Sequence, residues 1–252
     1  MKVNLKDGKK HVGTMICELY SPNIARMLKV CGFDYFIIDC EHGAFDYSQA
    51  NAMIATANAL ELTVLVRIPK IDRECCLKYL EAGADGLLVP MVNTREEAEK
   101  IVELTRYMPL GKRGISTKRA HNSYYCPDIR SYIQEANQRI TILVQAETRQ
   151  ALANTDAIAS VEGIDGVVIG PNDLSCDMGH LGDYSTPEFR QGLEDVLAAA
   201  QKRGKIAGYI TSKTEEAKVL FQQGMDLICW NSELGMILNA ARDSVADVKK
   251  TL

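Results

Sequence analysis

Residues 140–175 read ITILVQAETRQALANTDAIASVEGIDGVVIGPNDLS: two short aliphatic runs with a helix-like segment between them. Runs of this length, rich in Val and Ile, have the pattern of buried strands, and the segment between them is long enough for a crossover helix. Each run passes straight into a carboxylate, ILVQAE at Glu147 and GVVIGPND at Asp173. A carboxylate at the edge of an apolar core is costly unless a cation meets it, so the pair points to a metal site. Taken singly, either residue is equally well explained as a solvated strand end or a helix cap.

The same unit repeats outward in both directions. Before it come a strand at Val12–Leu19, a helix from Ser21 with Pro22 at its first position, a strand at Tyr35–Cys40 and a helix from Ala50 to Ala59. TVLVRIP is the third strand and Asp72–Glu81 its helix; GLLVPMV is the fourth, followed by a helix capped by Thr94 with Glu96 and Glu97 in its first turn. Residues 108–127 break the rhythm. They are rich in Arg, Lys, Gly and Ser, and a long loop in a compact fold is usually functional. A helix at Ile129–Gln138 leads into the fifth strand, ITILVQAE. After the sixth strand, GVVIG, come a Gly-rich loop, the helix Pro187–Arg203, KIAGYI, the helix Thr214–Gln223, DLICW and a last helix from Leu234.

Gly-x-Asp recurs as GFD (32–34), GAD (83–85), GID (163–165) and GMD (224–226), each at a helix-to-strand junction before an even-numbered strand. Glycine there supplies the left-handed residue that ends a helix. Eight such units without a composition break predict an α/β fold, one (β/α)8 TIM barrel over residues 1–252. A doubly wound open sheet is the alternative, but the phosphate fingerprint expected after its first strand is missing.

With 252 residues, 46% of them hydrophobic, the chain has ample material for a core. A net charge of −4, with both signs interspersed, leaves no basic stripe for nucleic acid and no polybasic membrane patch, so the expected partner is a small molecule. MKVNLKDGKK lacks the apolar centre of a signal peptide, and no apolar run is long enough to span a bilayer, so a cytoplasmic location is expected. The eight cysteines show no CxxC spacing and are read as reduced. Cys40 and Cys176, close to the candidate residues, are possible points of oxidative inactivation.

In a barrel of this kind the polar residues just past each strand form the active site. These are His42 (IIDCEHG), Arg67 (VLVRIP), Glu147 and Asp173. Arg67, between Val66 and Ile68, requires an anionic or carbonyl partner, either a ligand or Asp39 or Glu41 in a structural ion pair. His42 follows two acidic residues and suits a general base held in one tautomer. Gly170, Pro171, Asn172 and Asp173 offer a carboxylate together with turn N–H groups that could hold a substrate carboxylate. Two protein carboxylates without Cys or His ligands suit a hard ion such as Mg2+ or Mn2+.

GFDYFIIDCEHGAFD, VLVRIP, YLEAGADGLLVPMVNTREEAE, RYMPLGKRGISTKRA, VQAET and IGPNDLSCDMGHLG, in this order, resemble the metal-dependent class II pyruvate aldolases of the HpcH/HpaI type. The resemblance spans nearly the whole chain. It implies Glu147 and Asp173 as ligands of a divalent ion (Mg2+, Mn2+ or Co2+), His42 as proton acceptor, Arg67 stabilising an enolate, and Gln145 and Asn172 touching the pyruvate part. It also implies a homo-oligomer, commonly a hexamer, in which the C-terminal helix is exchanged between subunits. Glu81 stands where the family commonly has an aspartate that raises the basicity of the histidine. Position alone puts Glu81 at the opposite end of the barrel from His42, so the pairing requires a neighbouring subunit. NSE at 231–233 departs from the family's usual ending of strand eight. The expected reaction is cleavage of a 4-hydroxy-2-oxo acid to pyruvate, or a close relative, and an aldehyde. A Schiff-base route would need a lysine deep in the site, which neither Lys70 nor Lys205 provides by position. A barrel that binds an oxo acid without turnover, as sensor or scaffold, is the non-enzymatic alternative.

Overall fold

The computed structural model describes residues 2–251. In chain order the first half holds β1 (His11–Ile16), α1 (Ile24–Cys31), β2 (Tyr35–Asp39), α2 (Tyr47–Ala59), β3 (Thr63–Arg67), α3 (Arg73–Glu81), β4 (Gly86–Val89) and α4 (Arg95–Thr105). The second half holds α5 (Ile129–Arg139), β5 (Thr141–Ala146), α6 (Arg149–Ala153), α7 (Thr155–Ala159), β6 (Gly166–Ile169) and α8 (Pro171–Asp177). It closes with α9 (Pro187–Arg203), β7 (Ile206–Thr211), α10 (Thr214–Gln223), β8 (Leu227–Ser232) and α11 (Glu233–Lys249). The strands pair in parallel in sequence order, and β8 pairs with β1, so the sheet closes into an eight-stranded TIM barrel.

Alternate residues of each strand face inward, and Met15, Tyr35, Ile37, Leu65, Leu88, Leu143, Val168 and Leu227 pack the lumen. Gly13 makes room for the largest of these, since a Cβ there would sit 2.3 Å from the Tyr35 ring. A second and larger apolar layer lies between the barrel and its helices.

The Gly-x-Asp repeat acts in two ways. Gly32, Gly83, Gly163 and Gly224 all have positive φ, at 86°, 96°, 99° and 113°. The first, second and fourth close the ends of α1, α3 and α10, as helix-ending glycines should, whereas Gly163 lies in a turn beyond Ser160, the residue that caps α7. The aspartates then fasten the odd strands. Asp34, Asp85, Asp165 and Asp226 each accept a backbone N–H at the start of the preceding strand through a side-chain oxygen, from Val12, Val64, Ile142 and Ala207. Each returns its own N–H to the carbonyl of the same residue. This double contact holds the N-terminal rim of the barrel and leaves the C-terminal rim to the loops.

Local differences from the sequence reading have local causes. The chain at Ser21-Pro22 is a turn, with Ile24 N–H donating to the Ser21 carbonyl, so α1 begins one residue after Asn23. The crossover between β5 and β6 divides at Asn154 into α6 and α7. GPNDLS forms the first turns of the short helix α8 instead of a tight turn in a loop. The long 108–127 segment joins α4 to α5 ahead of β5, and its Ala120, His121 and Ser123 line the depression at the N-terminal end of the barrel, away from the site face. Arg106 anchors its start by donating to the carbonyls of Gly163, Asn137 and Ile140.

Glu233 begins α11 and is buried; its Oε1 accepts the N–H groups of Cys17, Glu18 and Leu19, so NSE ties the loop after β1 to the end of β8. Beyond Met236 the helix leaves the barrel, with Ile237, Leu238, Val245 and Val248 between 51% and 66% exposed. It therefore does not close its own barrel. No helix among the described residues is long and apolar enough to cross a membrane.

Candidate active site

At the C-terminal mouth of the barrel a cavity of about 500 Å³ is lined by His42, Arg67, Gln145, Glu147, Gly170, Pro171, Asn172 and Asp173. A larger depression, about 680 Å³, opens at the opposite end beside Lys2, Asp85, His121 and Arg139, and it holds none of the predicted residues. The predicted residues thus meet at the smaller of the two cavities.

Glu147 follows β5 and is buried, with 2% of its surface exposed. Its Oε2 accepts the Met91 N–H at 2.8 Å and its Oε1 the Gln145 side-chain amide at 2.9 Å. No cation pairs with it among the described residues, and burial, with Glu41 and Asp173 adding repulsion, pushes its carboxyl up to about 7. Gly170 is required by this carboxylate. A Cβ at position 170 would lie 2.3 Å from Glu147 Oε1, although the glycine's φ of −93° is open to any residue. Asp173 is exposed at the third position of α8, whose first-turn N–H groups have no intrahelical partner.

Arg67 ends β3 and directs Nε and Nη2 at both oxygens of buried Asp39, 2.9 and 2.7 Å away, leaving Nη1 outside the fork. Burial works to raise the Asp39 carboxyl, but the guanidinium prevails and holds it below the usual carboxylate range. Glu41 Oε2 lies 3.3 Å from Arg67 Nε and accepts no hydrogen bond; burial raises its carboxyl. The structural ion pair weighed for Arg67 is therefore present, and it fixes the side chain at the cavity wall.

His42 is largely exposed, and its Nε2 is 3.8 Å from Glu41 Oε2. Glu81 is elsewhere: it lines a separate depression with Tyr47, Lys78, Arg119 and Tyr124, 4.0 Å from Arg119 Nε. Within one chain the acid beside His42 is Glu41. Burial raises the Cys40 thiol to about 11, which removes it as an oxidation-prone thiolate, while Cys176 is exposed.

Asp39, Glu41 and Glu147 share Arg67 as a charge partner, and Asp173 adds its charge beside Glu41 and Glu147. This excess of hard oxygen donors fits a divalent cation. Among the described residues no group of three or more His, Cys, Asp or Glu is arranged to hold a metal ion. Lys70 pairs with Asp72 and Lys205 donates to the Ile164 carbonyl, so neither enters the cavity. Sequence reasoning passed over Tyr184, Thr211, Lys213 and Asn231, which line its outer part. Lys213 is exposed, unlike a desolvated Schiff-base lysine. Its position one residue past the turn after β7 was the available signal.

Residues 14–240 match the family model described as HpcH/HpaI aldolase/citrate lyase. A 5-keto-4-deoxy-D-glucarate aldolase from Klebsiella pneumoniae subsp. pneumoniae is 33% identical over 235 residues, covering 93% of this chain and 90% of the relative. The crystal structure of an HpcH/HpaI aldolase from Desulfitobacterium hafniense DCB-2 superposes with a TM-score of 0.94 at 32% identity, covering 98% of this chain and 95% of that one. The citrate synthase SbnG, at 25% identity and a TM-score of 0.89, covers 100% of this chain and 98% of its own. Relatives named for cleaving and for forming carbon–carbon bonds thus share this barrel. The family match over most of the chain, together with the carboxylate-lined mouth, makes this protein a carbon–carbon lyase of the HpcH/HpaI family, an enzyme of the class II pyruvate aldolase type.

Proposed function

We propose that the chain cleaves, and in reverse forms, the C3–C4 bond of a 4-hydroxy-2-oxo acid, giving pyruvate or a close analogue and an aldehyde. The observation that carries this reading is Glu147: a buried carboxylate with two neutral donors, no cation, and a neighbouring glycine that alone leaves it room. The family is metal-dependent, and Glu147 with Asp173 would hold the ion, Mg2+, Mn2+ or Co2+. When bound, the ion supplies Lewis-acid stabilisation of charge on the 2-oxo acid.

The chain's own groups account for the remaining steps. Gln145, Gly170, Pro171 and Asn172 line the inner cavity and orient the oxo acid. His42 takes the C4 hydroxyl proton, the C3–C4 electron pair passes into the oxo acid as an enolate, and a proton returned to C3 completes pyruvate. The fixed guanidinium of Arg67 meets the enolate's charge through the donor its fork to Asp39 leaves over.

The name of the Klebsiella relative supplies a specific substrate to test. Retro-aldol cleavage of 5-keto-4-deoxy-glucarate yields pyruvate and tartronate semialdehyde, a three-carbon hydroxyaldehyde ending in a carboxylate. The exposed apolar stripe of α11 supports a homo-oligomer, for which we propose a hexamer with that helix exchanged; a Glu81–His42 pair would then have to form between subunits, because the two are apart within one chain. The eight free cysteines suit the cytoplasm.

Exchange of pyruvate methyl protons in D2O, followed by NMR with enzyme and Mg2+, tests the reading without the aldehyde being known. Enzyme-dependent exchange that is abolished by EDTA is expected. No exchange with any divalent ion would favour an oxo-acid-binding barrel without turnover.

A further inference from the structure

The cavity does not end at the residues assigned above. Beyond Asp173 its wall continues through Tyr184, Thr211, Ser212, Lys213 and Glu216. Tyr184, Lys213 and Glu216 also line an adjoining hollow of about 360 Å³ that contains Asp183 and Arg190. Tyr184 stands at the junction, its hydroxyl donating to the Asn172 side chain, so it connects the inner residues to the outer hollow. The Lys213 ammonium lies 5.7 Å from the centre of the Tyr184 ring.

The charges in this outer region are unequally committed. Glu216 accepts the Thr211 hydroxyl, and Asp183 accepts both the N–H and the hydroxyl of Ser185. Lys213 and Arg190 form no ion pair among the described residues. The Lys213 backbone N–H donates to Thr211 Oγ1 at 3.0 Å, which holds the residue at the end of β7, and its side chain reaches over the Tyr184 ring. One cavity runs from Gln145 and Glu147 to Lys213, so this wall is open to the far end of an aldol substrate whose oxo-acid end sits at the inner residues.

We propose that Lys213 is a specificity-determining residue that selects an aldehyde whose far end is a carboxylate, with Tyr184 beneath its side chain. The inference rests on the aldolase reading above. A neutral aldehyde of the same size gains nothing from the ammonium, whereas a carboxylate gains a charge-assisted hydrogen bond at the mouth, where water screens only part of it.

The test compares two three-carbon hydroxyaldehydes that differ only at the far end, tartronate semialdehyde (carboxylate) and glyceraldehyde (hydroxymethyl). Each is condensed with pyruvate in the presence of Mg2+. The readout is the ratio of kcat/KM for the two aldehydes, in which any general loss of activity cancels. The unsubstituted enzyme should prefer the carboxylate. Lys213→Met should reduce that preference roughly tenfold, mainly through KM of the charged aldehyde, as expected for one lost bond to a charged group. Lys213→Arg should restore most of it, and added salt should weaken it in the unsubstituted enzyme. A ratio changed less than about twofold by Lys213→Met overturns the assignment, as does an original preference for glyceraldehyde. Pyruvate exchange separates the two levels of the argument. Exchange with a flat ratio removes only Lys213, whereas absence of exchange in the unsubstituted enzyme removes the aldolase reading and this inference with it.

Discussion

Replacing Glu147 by Gln should stabilise the metal-free protein, and the gain should depend on pH. The carboxyl is buried, and its ordinary value of 4.5 is raised to about 7, chiefly by burial. A group whose folded value lies above its unfolded one binds its proton more tightly in the folded state. Ionisation therefore costs nothing below about pH 4.5, costs progressively more as the pH rises towards 7, and costs its full amount above that. At roughly 1.4 kcal/mol per pH unit, a rise from 4.5 to about 7 corresponds to about 3 kcal/mol. Gln keeps the shape and the Met91 contact and has nothing to ionise. Urea unfolding of both proteins in EDTA, from pH 5 to pH 8, gives the difference in unfolding free energy at each pH. Titrating groups remote from the cavity are shared and cancel, while Glu41 and Asp173 are relieved of repulsion in the variant and add to its advantage. The variant's advantage should grow with pH to about 2–3 kcal/mol at pH 8, and Mg2+ should then stabilise the unsubstituted protein but not the variant. An advantage that stays within about 0.5 kcal/mol across this range would show that the carboxylate is not carrying an uncompensated charge, and the metal assignment would lose its main physical support.

Arg67→Lys should lower kcat at least tenfold and reduce stability by about 1–3 kcal/mol, because an ammonium cannot span both oxygens of buried Asp39; unchanged kinetics would make Arg67 purely structural. His42→Ala should cost at least roughly 10²-fold in kcat. Glu81→Gln should cost less and move the acidic limb of the kcat/KM profile to lower pH, and if rate and profile both stay put, Glu41, whose Oε2 is 3.8 Å from His42, is the acid that acts on the imidazole. Deleting residues 237–252 should convert an oligomer seen by light scattering into smaller species and reduce activity with it, whereas a monomeric undeleted chain at micromolar concentration would refute the exchange of α11.

Much of the fold is local in origin, which is why the chain could be read unit by unit. Aliphatic runs of four to six residues, separated by amphipathic segments, specify strand and helix through period alone, and the glycines of GFD, GAD and GMD mark helix ends, that of GID the turn before β6, because only glycine takes a positive φ there cheaply. The barrel's handedness of connection then carries the residue after each strand to one rim, so His42, Arg67, Gln145, Glu147 and the GPND residues could be assigned to one site before any coordinates. What depends on contacts across the barrel had no such signal. The clasp of Asp34, Asp85, Asp165 and Asp226 on the odd strands, the seat Gly170 provides for Glu147, and the hold of Glu233 on the loop after β1 all join residues 19 to 216 positions apart. The same holds for the position of Glu41 beside His42 and Arg67 and for the departure of α11 from its own barrel. Sequence period records which face of an element is apolar. It does not record which distant side chain arrives opposite that face, because that depends on strand register and barrel closure, which exist only once the chain has folded.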